Sequence, residues 1–536
     1  MAIIFAFFTS LLLFRVIIAG ARPHVNLEER AACNIPTSSS VSCSNGIVTF
    51  GSSLGSLSGL LTSNAIRFTV KYATAARFQP PQMTSLVSSF PNIASLPPLC
   101  PQAGVAASSY SEDCLYFVAY VPKNVVPVTN GGVPVLVWIH GGSYRSGSAS
   151  DPVLDGSKLA SATGSIVVVV QYRLGVLGYL PPSAFSQNKN LGVQDVITAL
   201  KWIQNVSSLL GGDKTKVVLA GQSSGGNMIR NLLATPSASN LFSRAIIQSD
   251  PIAYGFLSNT TFTKLQTAFY SGLNCGSCTS TSLSTLITAQ ANFNGQAVDP
   301  AAGMAEPIRP VLDGTLIQYS LTKTFPPNLK PLLITTVKDE AAEAIYSNIG
   351  FPIPPAYYSL VATNLFGSPR DVQIGAQYKV AEDTTDDIRP LLVDITTDGA
   401  WRCPAYTLAR TWAVKNGNVW VGEFTLGSTY PSNAGYSYCT TAGNVCHQDD
   451  IPIVFGTLTS PTTAQTALTT QIQARWGAFL RYGNPNTDGY QNWPQLSRDG
   501  TVPVQNLGGT SSIPLGACDP SVWGSQIQYE YQVYDQ

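Results

Sequence analysis

The stretch that decides the fold is residues 216–226, which read KVVLAGQSSGG. An apolar run is followed by the pattern G-x-S-x-G, and residues 227–234 continue as an amphipathic, helix-like segment. This pattern is typical of a sharp strand-to-helix turn that raises a serine hydroxyl above a sheet, because side chains at the glycine positions would collide with the turn. We therefore predict that Ser223 is a nucleophile.

The same pattern occurs a second time at residues 51–55, which read GSSLG around Ser53. That copy lies in a stretch rich in glycine and serine, and no polar periodicity follows it. We predict a loop there, because only the copy around Ser223 has the context of a strand and a helix.

A serine hydroxyl needs a neighbouring base that takes its proton and a third group that orients the base. The chain contains three histidines, His24, His140 and His447. His24 follows the apolar leader, and His140 ends a buried strand-like run that opens into a glycine turn. The sequence therefore favours His447 as the base and a structural role for His140.

Further motifs accompany the serine in a fixed order along most of the chain. They lie at residues 76–81, 111–116, 140–142, 172–174, 190–195, 221–225, 338–340, 447, 476–486 and 493–494. With these motifs the chain resembles the type B carboxylesterase and lipase family of α/β-hydrolases, which includes the cholinesterases, and most closely its secreted fungal members. The resemblance implies an α/β fold with a mostly parallel central sheet, helices on both faces and long insertions.

The resemblance also implies a catalytic triad. Ser223 is expected to be the nucleophile, His447 the base and then the acid, and Glu340 the carboxylate that orients the imidazole, in the chain order of α/β-hydrolases. Glu340 follows the apolar run 331–334, where open α/β sheets place functional groups. An alternative remains for the acid. Glu340 could be a solvated surface carboxylate, and Asp339, Asp449 or Asp450 would then be the acid that orients His447.

An oxyanion hole requires backbone N–H groups aimed at the developing charge. By resemblance these groups belong to Gly142, Ser143 and Ser224. The family usually has glycine or alanine at the position of Ser143 and alanine at that of Ser224, but each serine keeps its N–H. Gln222 stands where the family commonly has glutamate, and the loss of this negative charge argues against a cationic, choline-type substrate.

Length and composition indicate one large catalytic domain, residues 22–536. The motifs span the 536-residue chain and leave no linker marked by composition. Apolar runs separated by helical stretches predict strands of a mostly parallel sheet at residues 133–139, 165–172, 215–220, 244–248, 331–336 and 418–425.

Several features indicate secretion. Residues 1–21 form an apolar stretch interrupted by Arg15 and ending in small residues, which is typical of a cleaved signal peptide rather than a membrane anchor. Glycosylation sequons occur at Asn205 and Asn259. The 30 basic and 30 acidic residues cancel, so nothing favours nucleic acid or an anionic membrane as a partner.

Ten cysteines in a secreted chain predict disulfide bonds, although a zinc site is the competing interpretation of such clusters. The resemblance implies the pair Cys100 and Cys114. Sequence proximity suggests Cys33 with Cys43, Cys275 with Cys278 and Cys439 with Cys446, which leaves Cys403 for Cys518. In interfacially activated lipases of the family, the disulfide loop that corresponds to residues 101–113 is a long lid, and here it is short.

Together these observations predict a secreted, extracellular carboxylic ester hydrolase that works through an acyl-enzyme and requires no cofactor or metal. Its substrate would be a small-molecule or lipid ester. The motifs do not distinguish acylglycerol, sterol, feruloyl and simple acyl esters, because specificity depends on loop shape. The alternative is a catalytically silent binding or adhesion domain, which would not react with a fluorophosphonate.

Overall fold

A computed structural model describes residues 33–35, 40–53, 55–85, 92–125, 131–296, 298–303, 306–366, 370–380 and 386–524. The predicted signal peptide, residues 1–21, and His24 lie outside these ranges. No helix among the described residues combines the length and apolar character needed to cross a membrane.

The described residues form a central twelve-stranded sheet and a separate two-stranded ladder. In chain order the strands are β1 Val41–Ser44, β2 Ile47–Ser52, β3 Gly55–Leu61, β4 Ala65–Lys71, β5 Ala73–Thr74, β6 Gln82–Met83, β7 Tyr116–Pro122, β8 Val133–Ile139, β9 Ile166–Val170, β10 Gly212–Gln222, β11 Arg244–Gln248, β12 Leu332–Val337, β13 Val419–Phe424 and β14 Val504–Leu507. The central sheet has the order β1-β2-β3-β4-β7-β9-β8-β10-β11-β12-β13-β14, and β5 pairs with β6.

Seven neighbouring strands of the central sheet, from β9 to β14 in spatial order, run parallel to one another. All six predicted strand runs lie in this part of the sheet, so the expectation of a mostly parallel sheet is confirmed. Strands β1–β4 and β7 extend the sheet in antiparallel fashion, which the sequence analysis did not predict.

Successive residues of the central strands point to opposite faces of the sheet and enter two separate cores. Val135, Val137 and Ile139 belong to one core, while Leu136 and Trp138 belong to the other. Both cores include helix residues, so helices cover both faces of the sheet. This two-sided burial explains why the parallel strands read as continuous apolar runs.

The helices in chain order are α1 Ser157–Thr163, α2 Gly175–Tyr179, α3 Leu191–Val206, α4 Ser224–Leu233, α5 Asn259–Ser271, α6 Leu283–Phe293, α7 Ala342–Asn348, α8 Tyr358–Phe366, α9 Arg370–Gln377, α10 Arg389–Thr397, α11 Cys403–Val414, α12 Ser437–Thr440, α13 Ile451–Phe455, α14 Thr463–Tyr482 and α15 Pro520–Trp523. Helices α3, α4 and α11 pack on one face of the sheet, and α1 and α14 pack on the other.

The second G-x-S-x-G pattern is not a simple loop, so that prediction was wrong. Gly51 and Ser52 end β2, Gly55 begins β3, and the two strands pair as an antiparallel hairpin with Ser53 in its exposed turn. The alternating glycines and serines carry too little apolar signal to indicate strands, but pairing with β4 places them at one side of the central sheet.

Candidate active site

Ser223 lies at the turn between β10 and α4, with the unusual backbone angles φ 58° and ψ −128°. The flanking glycines permit this turn. A Cβ on Gly225 would lie 2.0 Å from the carbonyl oxygen of Ile139, and one on Gly221 would lie 2.7 Å from Gly225. A strained residue held between close-packed backbones is characteristic of a functional serine at a nucleophile elbow.

Glu340 and His447 meet beyond the carboxyl end of β12. The Nδ1 atom of His447 lies 2.5 Å from Oε2 of Glu340, and Oε1 of Glu340 accepts a hydrogen bond of 2.9 Å from the N–H of Val337. Burial lowers the pKa of His447, but the hydrogen bond and charge of Glu340, together with the charges of Asp450 and Glu343, raise it overall. Glu340 is therefore placed to orient the imidazole and to stabilise its protonated form.

The other candidate acids hold the surrounding loops instead. Asp339 accepts hydrogen bonds from the N–H of Val445 and the Tyr438 hydroxyl, and Asp450 accepts one from the amide of Gln248. Burial raises the pKa of Asp449 to about 7 and that of Asp450 to about 6, which weakens each as a negatively charged partner at neutral pH. Among the described residues, only Glu340 offers His447 a carboxylate within hydrogen-bond distance.

The second ring nitrogen of His447 faces Gln222 rather than Ser223. The side-chain nitrogen of Gln222 lies 3.1 Å from Nε2 of His447. With Nδ1–H directed at Glu340, Nε2 of the neutral ring is an acceptor, so the Gln222 amide occupies the lone pair that a serine proton needs. In the sequence, Gln222 indicates only a lost charge. Its contact with His447 could not be predicted, because it depends on the packing of two side chains distant in sequence.

Trp401 was also missed by the sequence analysis. A π-helical turn, Asp398–Arg402, connects α10 to α11 and places the Trp401 ring 5.7 Å from that of His447. Such π-helical turns occur frequently at functional sites. A local irregularity inside an otherwise helical segment leaves no periodic signal in the sequence.

The predicted oxyanion turn leaves His140 and passes through three residues with positive φ angles, Gly142, Ser143 and Tyr144. Gly142 has φ 107° and Ser143 has φ 55°. The backbone N–H groups of Gly142, Ser143 and Ser224 have no acceptor within the part of the chain that the structure describes. These three N–H groups are therefore free to bind a developing oxyanion, although no substrate is present to define its position.

His140 itself has a structural environment. It is buried, its ring stacks on Tyr172 at 4.6 Å, and Nδ1 lies 2.9 Å from the carbonyl oxygen of Gly141. Burial lowers the pKa of His140 to about 4, so the ring stays neutral near pH 7. These contacts support the structural role expected for His140.

Five disulfide bonds link the cysteines in the pairs expected from the sequence, Cys33–Cys43, Cys100–Cys114, Cys275–Cys278, Cys403–Cys518 and Cys439–Cys446. These bonds occupy all ten sulfur atoms, so no thiolate remains for the zinc interpretation. Asn205 and Asn259 are exposed, as glycosylation would require.

The Cys439–Cys446 bond ends at the residue before His447. Cys446 also forms a β-bridge with Asp339, the neighbour of Glu340, and Asp339 donates its N–H to the carbonyl oxygen of Val445. The loops that carry the candidate acid and base are thus joined by backbone hydrogen bonds, and one of them is closed covalently.

Comparison with known proteins agrees with this fold. Residues 53–511 match the carboxylesterase family. Liver carboxylesterase of Sus scrofa is 28% identical over 497 residues, covering 83% of this chain and 85% of that protein, and para-nitrobenzyl esterase of Bacillus subtilis is 28% identical over 464 residues, covering 78% and 85%. "Crystal protein" of Dictyostelium discoideum is 29% identical over 390 residues, covering 70% and 69%.

Solved structures of two esterases share the fold of this chain. A PNB esterase superposes with a TM-score of 0.69 at 25% identity, covering 87% of this chain and 97% of that chain. A thermophilic PNB esterase superposes with a TM-score of 0.71 at 24% identity, covering 90% and 99%. The expected α/β-hydrolase fold is confirmed, whereas these relatives do not show the expected proximity to secreted fungal members.

Proposed function

Since the chain belongs to the carboxylesterase family and is a carboxylic ester hydrolase, we propose that it is a secreted serine enzyme that acts on small-molecule esters through an acyl-enzyme. The observation that carries this proposal is the hydrogen bond between His447 and the buried carboxylate of Glu340. Glu340 follows the carboxyl end of β12, and the strained Ser223 follows the carboxyl end of β10 in the same parallel part of the sheet. The disulfide bonds and the exposed sequons support the secretory part, because both are typical of oxidising compartments.

In this mechanism Ser223 Oγ attacks the ester carbonyl carbon while its proton passes to Nε2 of His447. Nε2 must first exchange its Gln222 partner for Ser223, because one lone pair cannot accept both protons. The N–H groups of Gly142, Ser143 and Ser224 hold the oxyanion, and His447 then protonates the departing alcohol oxygen. Water repeats the sequence on the acyl-enzyme, releasing the carboxylic acid and restoring Ser223.

A fluorophosphonate probe tests the proposal directly. We expect stoichiometric labelling of the intact protein, with the adduct on the peptide that contains Ser223, because the probe reacts only with an activated serine. The matched control is Ser53→Ala, which alters the second G-x-S-x-G pattern and should be labelled as fully as the natural chain. An unlabelled natural protein would instead support the silent binding domain.

The loop closed by Cys100–Cys114 bears on how substrate enters. Gln102 donates from its amide to the carbonyl oxygens of Cys100 and Gly147, at 3.1 and 3.0 Å, and accepts from the N–H of Gly147 at 3.1 Å. Leu99 and Tyr110 form a β-bridge across the base of the same loop. This short loop is therefore fixed beside the oxyanion turn, unlike a lid that must open at an oil surface.

We accordingly expect hydrolysis of soluble short-chain and medium-chain esters without interfacial activation. The rate for a short-chain ester, measured from well below to well above its solubility limit, should follow a smooth saturating curve. A sharp increase in rate at the solubility limit would contradict this expectation and would require a lid elsewhere in the chain.

A further inference from the structure

The turn that carries two of the proposed oxyanion donors is conformationally strained. Ser143 and Tyr144 are consecutive residues with φ angles of 55° and 57°, a region that residues with a Cβ seldom occupy. The Ser143 side chain makes no hydrogen bond within the described residues that could offset this strain. Such a conformation persists only when neighbouring groups hold it in place.

Tyr144 is the residue through which the turn is held. Its carbonyl oxygen accepts the N–H of Gly175 at 2.7 Å, and its hydroxyl donates to Oδ1 of Asn227 at 2.7 Å. Its N–H donates a hydrogen bond to Oγ of Ser224, and the nitrogen and the oxygen are 3.2 Å apart. The Ser224 hydroxyl is fully buried, so the bond is protected from competition with water.

The other end of the turn is held by Tyr172. Burial raises the pKa of the Tyr172 hydroxyl, and the nearby Ser224 side chain opposes this rise. The Tyr172 hydroxyl in turn donates to the carbonyl oxygen of His140 at 2.8 Å. The backbone of the turn is thus held at Tyr144 by the Ser224 hydroxyl and at His140 by the Tyr172 hydroxyl.

We infer that the Ser224 hydroxyl is a positioning group that holds the strained turn, and so aims the N–H groups of Gly142 and Ser143 at the oxyanion. This inference rests on the proposed serine mechanism, in which the backbone N–H of Ser224 is itself a donor. The two serines are coupled, because the hydroxyl at position 224 restrains the strained backbone at position 143.

The deciding variant is Ser224→Ala, which removes the hydroxyl and keeps the N–H. With a soluble short-chain ester we expect kcat to fall about 10-fold to 100-fold, which does not exceed the effect of removing a whole oxyanion donor. KM should change less than about threefold. The rate of fluorophosphonate labelling at saturating probe should fall by a similar factor. A merely structural hydroxyl would lower the unfolding temperature and leave kcat unchanged, and that result would overturn the inference.

Rescue provides the second criterion. Ser143→Gly added to Ser224→Ala removes one of the two Cβ atoms that strain the turn, so the double variant should recover kcat to within about fivefold of the natural enzyme. A double variant as slow as Ser224→Ala would overturn the coupling. Ser165→Ala is the matched control, because it removes another fully buried serine hydroxyl, one that bonds Thr163.

Should Ser224→Ala not fold, Ser224→Cys decides the question. It keeps the backbone N–H and replaces the hydroxyl that binds the N–H of Tyr144 by a thiol, which is a weak acceptor. We expect a fall in kcat that Ser143→Gly reverses, and an unchanged kcat would overturn the inference. Absence of hydrolysis and of labelling in the natural protein would instead refute the proposed function, so the two failures are distinguishable.

Discussion

Replacing Ser223 by alanine is expected to abolish ester hydrolysis, lowering kcat by about 10⁴-fold to 10⁶-fold, because the acyl-enzyme cannot form without the hydroxyl. Folding should be retained. Ser223 makes no side-chain hydrogen bond within the described part of the chain, and alanine meets the same backbone strain that serine already tolerates. Hydrolysis of a chromogenic ester, measured beside thermal unfolding, separates loss of chemistry from loss of structure.

The control for this experiment is Ser53→Ala in the exposed hairpin turn. Its kcat and KM should equal those of the natural enzyme. An inactive Ser53 variant together with an active Ser223 variant would refute the assignment of the nucleophile.

The second large effect is expected for Glu340→Gln, with kcat reduced about 10⁴-fold, by analogy with amide replacement of a triad acid. Oε1 of the new side chain can still accept the N–H of Val337, so its NH₂ group would face Nδ1 of His447. That arrangement favours the tautomer with the proton on Nε2, which then cannot take the proton of Ser223.

The pH dependence gives an independent measurement of the same contact. The interactions with Glu340 raise the pKa of His447, so activity of the natural enzyme should fall as the pH drops through a value above the usual 6.5 of histidine. Without the carboxylate the pKa falls, and the acid limb of the kcat/KM profile should move to lower pH. Glu343→Gln is the control, since Glu343 influences His447 by charge but makes no hydrogen bond to it.

A Glu340→Gln variant with near-normal kcat would move the acid elsewhere. Asp339, Asp449 and Asp450 would then be tested by the same substitution of amide for carboxylate. The structure provides each of them with other hydrogen-bond donors, so each is expected to affect the stability of the loop around His447 more than the pH profile.

The parallel half of the sheet and the turn around Ser223 could be predicted from the sequence for physical reasons. Strands buried on both faces appear as continuous apolar runs, and a nucleophile elbow needs glycines where backbones approach to within 3 Å of a Cβ. The antiparallel hairpin around Ser53 was missed, because glycine and serine give little strand signal.

The hydrogen bonds inside the site were harder to predict than the identity of the candidate site residues. Gln222 reaches His447, and Ser224 reaches Tyr144, only because distant segments meet in one arrangement of side chains. Motif order identifies which residues converge, but hydrogen-bond partners within the cluster depend on rotamers and backbone angles that periodicity does not encode.

The covalent closure next to His447 matters for anyone who prepares this enzyme. Cys439 and Cys446 are 7 residues apart in sequence, against 115 for Cys403 and Cys518, so their bond adds less chain-entropy stabilisation to the whole fold. A preparation that lacks this bond alone therefore keeps its fold by circular dichroism or gel filtration while the loop that carries His447 is poorly held. Specific activity per titrated serine, rather than yield of folded protein, is the appropriate criterion for a correctly oxidised batch.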